Sequence, residues 1–124
     1  MIPHLLVFND QRAMTFIVSY MLKGTCWRVS ASECFAHTLV LIHQENVDVI
    51  LVDHETTRIE GLELIEGLRL SHPNLAVVLM SSFPQEIDME QARRLGILAI
   101  LEKPFAQGLL ILTLNEALRK MASP

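Results

Sequence analysis

The chain has 124 residues, 51% of them hydrophobic and 19% charged, with ten basic side chains against fourteen acidic ones and a net charge of −4. That length suits one compact domain, the apolar fraction excludes a disordered chain, and the acidic balance excludes a surface that binds by neutralising nucleic-acid phosphates. Two cysteines without a CxxC pair give neither a disulfide framework nor a zinc or redox motif, so a reducing cytoplasm is the expected location.

Short apolar runs alternate with helix-periodic stretches, the pattern of βαβ units around a parallel sheet. Residues 4–8 form the first run, almost continuously apolar as in a strand buried on both faces. Residues 11–23 read as a helix with Met14, Ile17 and Met21 inward and Gly24 as its left-handed stop. The second run, residues 27–30, alternates more and is expected at a sheet edge. A helix starting at Ser32 or Glu33 turns Phe35, Leu39 and Ile42 inward.

Residues 49–52 are the third strand, and residues 59–70 the third helix, with Leu62, Ile65 and Leu68 inward and a stop before Pro73. After a fourth strand at 76–80, residues 84–95 read as a helix with Pro84 at its start, Gly96 past its end, and Ile87 and Leu95 inward. The fifth strand is 97–101 and the fifth helix 107–121. In that helix Leu109, Leu110, Ile111, Leu112 and Leu114 cover more than one face, so some are exposed and suit a partner or a second copy. No apolar run approaches the roughly 20 residues that span a bilayer, and the opening MIPHLLVFNDQR has no basic leader, so no membrane is expected as a partner.

Five βα units imply an α/β fold: an open, doubly wound, five-stranded parallel sheet with five helices, its site beyond the carboxyl ends of the strands. Those ends carry Asn9-Asp10, Asp53-His54-Glu55, Ser81-Ser82 and Glu102-Lys103-Pro104. A carboxylate is a nucleophile for a phosphoryl group, a second can hold Mg²⁺ through oxygen, and a hydroxyl and an ammonium can take the remaining phosphoryl oxygens. His54 follows Asp53 and should point to the opposite side of the strand, as a bystander. His4, His37, His43 and His72 lack ligand spacing, and Cys26 and Cys34 are expected to pack as small hydrophobes.

In this order and spacing, the acidic position after strand one, Asp53, Glu60-Gly61, Ser81 and Lys103-Pro104-Phe105 resemble a response-regulator receiver domain over essentially the whole chain. The resemblance implies a flavodoxin-like, CheY-like fold and a phosphorelay role, with no enzymatic turnover of a substrate. Asp53 is then the phosphoacceptor, charged from the phosphohistidine of a sensor histidine kinase or phosphotransfer protein, with Ser81 and Lys103 contacting the phosphoryl group. Asp10, Asp53 and the backbone carbonyl of Glu55, with Asn9 through water, would hold Mg²⁺ or Mn²⁺. The Lys103-Pro104 peptide would be cis, and Ser81, Ile100 and Pro104 would belong to a switch that alters helix four, strand five and helix five. That face would take a second copy or an output domain, residues 1–124 being either a single domain or one cut from a longer chain.

The sequence departs from the family at Asn9, an acid in most members, at Thr57, commonly Pro, and at Ile100, commonly Phe or Tyr, while Glu55 adds an acidic side chain near the phosphoryl oxygens that would either position a hydrolytic water or repel phosphate. These departures leave room for a degenerate receiver that acts by protein contact alone. Asp53-His54-Glu55-Thr56-Thr57 also echoes the DxDxT loop of haloacid-dehalogenase-like phosphatases, though Glu55 replaces the second Asp and no later acidic pair completes a metal site.

Overall fold

The computed structural model describes residues 2–55 and 61–122. Strands β1 (His4–Phe8), β2 (Arg28–Ser32), β3 (Val49–Asp53), β4 (Ala76–Ser81) and β5 (Ile97–Glu102) form one parallel sheet in the order β2-β1-β3-β4-β5. They alternate with helices α1 (Arg12–Met21), α2 (Phe35–Glu45), α3 (Gly61–Ser71), α4 (Met89–Arg94) and α5 (Gln107–Ala122). The chain runs outward from β1 to β2, then returns to lay β3 on the other side of β1, with Phe8 opposite Val52. Strand order reverses there, which opens a crevice at the carboxyl ends of β1 and β3.

Two apolar layers cover the sheet. Leu5, Val7, Val49, Leu51, Val78 and Met80 pack under α1 and α5 through Val18, Leu22, Leu110 and Leu114. Leu6, Phe8, Ile50, Val52, Val77 and Leu79 pack on the opposite face against Ile42 of α2, Leu62, Ile65 and Leu68 of α3, and Ala92 of α4. Period-two alternation sends neighbouring strand residues to opposite layers, which is why three central strands read as unbroken apolar runs.

Local boundaries differ from the periodicity in four places. β2 extends to Ser32 because it stays paired with β1, Phe8 standing opposite Ser32 and Asn9 donating to the Ser32 carbonyl at 3.1 Å. The second helix therefore starts later, at Phe35, with Thr38 and Ile42 as its buried residues and Phe35 and Leu39 only partly covered. In α1 the inward residues are Val18 and Leu22, one position beyond the expected stripe; Ile17 is 42% exposed, while Met14 and Met21 are partly buried.

The expected fourth helix breaks in two: a 3₁₀ turn over Pro84–Glu86, then α4. Asp88 causes the break, since its carboxylate caps the backbone N–H groups of Glu90 and Gln91 at 3.0 and 3.2 Å and holds extended backbone before them. Ile87 stays buried and Leu95 is partly buried. Cys26 and Cys34 are both exposed and lie outside the core. The expected start of the third helix at Ile59, with Thr56, Thr57 and Glu60, lies outside the described residues.

In α5, Leu110, Leu114 and Ala117 are buried, whereas Leu109 and Leu112 are 47% and 58% exposed, so the apolar excess faces outward. Trp27 is buried against this helix, its indole N–H donating to Asn115 Oδ1 at 3.1 Å. At the amino end of the sheet, Arg69 donates to the carbonyls of Leu95, His72, Pro73, Leu75 and Gly96, between 2.6 and 3.3 Å. His4 is buried at the same end, its ring nitrogens 3.0 Å from the Glu45 carbonyl and 2.7 Å from Ser30 Oγ. Among the described residues no helix is long and apolar enough to cross a membrane.

Candidate functional site

Asp53 ends β3 at the rim where strand order reverses, and it is only 3% exposed. Its Oδ1 accepts the Lys103 ammonium at 2.9 Å and the Glu55 backbone N–H at 3.0 Å; its Oδ2 accepts the Asn9 amide Nδ2 at 2.7 Å. Asn9 is buried directly after β1, and its other amide atom, Oδ1, accepts the Gln11 N–H at the entry to α1. Both ends of that side chain are thus engaged, one of them on the acid. Asp10, the next residue, is half-buried on the same rim.

Lys103 reaches this acid from beyond β5. Its backbone N–H donates to the Ser81 carbonyl at 2.8 Å, which carries the β4–β5 pairing past the strand end, and the Lys103–Pro104 peptide is cis. The ammonium also lies 3.1 Å from Glu55 Oε1, so it sits between two carboxylates. Burial alone pulls the Lys103 pKa down, but the bonds and charges of Asp53 and Glu55 outweigh it, and the net effect is upward.

The Glu55 side chain, which the sequence places near the phosphoryl oxygens without fixing its role, is held by three donors. One carboxylate oxygen, Oε2, accepts the Ser81 hydroxyl at 2.5 Å; the other, Oε1, accepts the Ser82 backbone N–H at 2.7 Å as well as Lys103. Burial pushes this carboxyl up, yet the Ser81, Ser82 and Lys103 bonds prevail and lower its pKa to about 2. The available signal was an acid two residues past a strand-end Asp, facing a hydroxyl on the next strand. Ser81 itself is fully buried, and its Oγ also accepts the Phe83 N–H at 2.9 Å.

His54 does not point to the far side of the sheet. β3 stops at Asp53, so alternation no longer governs the next residue, and the His54 Nδ1 lies 3.0 Å from Glu55 Oε2 and 3.4 Å from Ser81 Oγ. Asp53, Lys103, Ser81, Glu55 and Asn9 are thereby one bonded network. Ile100 sits outside it, partly buried against the layer under α2, α3 and α4, and Pro104 is exposed. Thr57 lies outside the described residues.

The residues can be tested against a divalent cation by their donors. Among the described residues no three His, Cys, Asp or Glu side chains converge as a metal cage. The acids that follow β1 and end β3, Asp10 and Asp53, are hard oxygen donors. Two carboxylates without a cysteine or a histidine cluster suit Mg²⁺, which takes oxygen and keeps part of its hydration shell, better than Zn²⁺, whose sites are built mainly on nitrogen and sulfur.

A five-stranded parallel sheet in this order, with acid, hydroxyl and ammonium meeting at one carboxyl-end rim, defines a doubly wound α/β module with a buried, hydrogen-bonded carboxylate at its strand-order reversal. The chain belongs to the response regulator receiver domain family, whose model matches residues 5–115. Among curated relatives it is 26% identical over 114 residues to the transcriptional regulatory protein ZraR of Klebsiella oxytoca, covering 92% of this chain and 26% of that one. Sporulation initiation phosphotransferase F of Bacillus subtilis is 22% identical over 102 residues, 82% of either chain. The chain spans about a quarter to a half of the length of most curated relatives it matches.

Solved structures agree on the fold. A sensor protein from Polaromonas superposes with a TM-score of 0.84 at 25% identity, covering 97% of this chain and 98% of that one. The signal receiver domain of an HD domain-containing protein from Pseudomonas fluorescens gives 0.89 at 20% identity, with both chains wholly covered. The protein is a CheY-like receiver domain of two-component signal transduction, and the phosphatase alternative finds no support in these matches. Receiver domains are signalling modules that work with sensor kinases and output domains and generally bind Mg²⁺ where they are phosphorylated.

Proposed function

We propose that Asp53 is the phosphoacceptor of this receiver, charged from a phosphohistidine of a sensor histidine kinase or phosphotransfer protein. An Asp53 oxygen attacks phosphorus, the P–N bond breaks, and its electron pair returns to the imidazole nitrogen of the donor. The observation that carries this reading is the Asp53 carboxylate held 2.9 Å from Lys103 Nζ at the end of a buried strand. Lys103 orients the nucleophile and then balances charge on the phosphoryl group; the Ser81 hydroxyl and the Ser82 N–H are the other donors within the same network.

Asp10, Asp53 and the Glu55 carbonyl would hold the cation, Asn9 touching it only through water because its own amide is committed to Asp53 and Gln11. Mg²⁺, or Mn²⁺ in its place, supplies positive charge against the phosphoryl oxygens when bound. With Asn9 in place of an acid, one negative charge is missing, and affinity for the cation is correspondingly weak. The readout is a change of partner through α4, β5 and α5, where Leu109 and Leu112 lie exposed for a second copy or an output domain. Ser81 begins that change and Ile100 and Pro104 lie along it. The chain works in the cytoplasm as part of a relay, without direct contact to nucleic acid.

Acetyl phosphate with Mg²⁺ should add one phosphoryl mass to the intact chain, mapping by peptide mass spectrometry to Asp53. No gain under those conditions, or a gain that persists in Asp53→Asn, would overturn the assignment.

A further inference from the structure

A phosphoryl group on Asp53 brings three peripheral anionic oxygens into this rim, and each needs a donor or a cation. The donors at hand are the Ser81 hydroxyl, the Ser82 backbone N–H and the Lys103 ammonium. All three already bond one side chain, the Glu55 carboxylate, at 2.5, 2.7 and 3.1 Å. That carboxylate is anionic and planar, offers two oxygens, and is tethered two residues from the acceptor. Its own backbone N–H points at Asp53 Oδ1, 3.0 Å away, so the turn folds the side chain back over the acid it follows.

We propose that Glu55 is a resident occupant of the phosphoryl-binding position, a built-in competitor that must release Ser81, Ser82 and Lys103 before Asp53 can be charged. The inference rests on the reading of Asp53 as phosphoacceptor and adds a restraint to it. Charging is slowed by the bonds that Glu55 surrenders, and loss of the phosphoryl group is followed by its return. The Ser81 hydroxyl is already drawn to an anion before any phosphoryl group arrives. His54, 3.0 Å from Glu55 Oε2, holds the occupant from its remaining side.

The test compares the rate of phosphoryl incorporation from acetyl phosphate, with saturating Mg²⁺, in wild type, Glu55→Gln and Glu55→Ala. Both substitutions leave the backbone carbonyl in place, and a thermal melt checks that each variant is folded. Surrender of a charge-assisted set of bonds predicts a rate about tenfold higher in Glu55→Ala. Glu55→Gln, which keeps the acceptor oxygen and loses the charge, should fall between the two. The ratio should persist from ~0.05 to ~0.5 M salt, because bonds inside the rim are not screened as distant charges are.

Equal or slower charging in Glu55→Ala, with the mass gain still on Asp53, would overturn this inference and leave the phosphoacceptor standing. A ratio that collapses toward one in high salt would also overturn it, by assigning the effect to repulsion of the anionic donor. No incorporation in any of the three proteins would remove the phosphoacceptor reading itself, and the inference with it.

Discussion

The two ends of the sheet use charge in opposite ways. At the amino end, Arg69 spends its guanidinium on backbone carbonyls from the loops after α3 and α4, and His4 joins the end of α2 to β2. The acceptors of Arg69 are fixed parts of the chain, so its charge fastens loops. At the carboxyl end, Lys103 is shared by two carboxylates and Glu55 by a hydroxyl, an amide and that ammonium. Side-chain partners of that kind can be exchanged for ligand oxygens. A cation facing carbonyls fastens scaffold, whereas one facing carboxylates at a strand-order reversal has partners it can trade, as the proposed phosphoryl transfer requires.

Substitutions at either end sharpen or break that contrast. Asp53→Asn should abolish incorporation from acetyl phosphate while the fold survives, read by mass spectrometry beside a thermal melt; retained labelling would place the chemistry elsewhere. Chelation of divalent cations should bring wild type close to that level, restored by added Mg²⁺, and unchanged labelling in the chelator would remove the cation from the account. Lys103→Met should slow incorporation on the order of 10²-fold, the usual loss of one preorganised donor to developing charge. A stopped-quench time course measures this.

Arg69→Ala belongs to the other end: it should leave incorporation intact and cost about 1–2 kcal/mol in urea unfolding, since carbonyls that are partly buried or exposed lose a shared charged donor. If it abolished labelling while sparing stability, the division between the two ends would fail. Exposed Cys26 and Cys34, which touch neither network, should each tolerate Ser with a change under about 0.5 kcal/mol by the same measurement.

How much of this the sequence reveals follows from which forces act locally. The buried strands are legible because both faces are apolar, and the rim is legible because Asp53, Ser81 and Lys103 each follow such a strand. The end of α4 is visible for a related reason, Gly96 following its cap with positive φ, whereas α1 already stops at Met21, three residues before the positive-φ Gly24 expected to end it. The boundary of β2 was hidden because its last residues are held by pairing with β1, not by their own polarity. The break before α4 came from a single cap, Asp88, competing with a helical pattern that runs through it. The partners of Glu55 and the direction of His54 were hidden because past the last ladder residue a turn, not the two-residue period, directs side chains. That turn is tertiary information, and the residues that follow it lie beyond the described part of the loop.

The indole of Trp27, pinned to Asn115 and sealed beneath α5, makes this chain its own optical probe. It is the sole tryptophan, so emission excited at the red edge, where Tyr20 does not absorb, carries one signal. Its wavelength and quenching follow how firmly the last helix is seated, at a distance from any colouring reagent on the acid rim. A ligand event at the strand ends that loosens or tightens that helix can therefore be followed in unlabelled protein, on the timescale of a stopped-flow mixer.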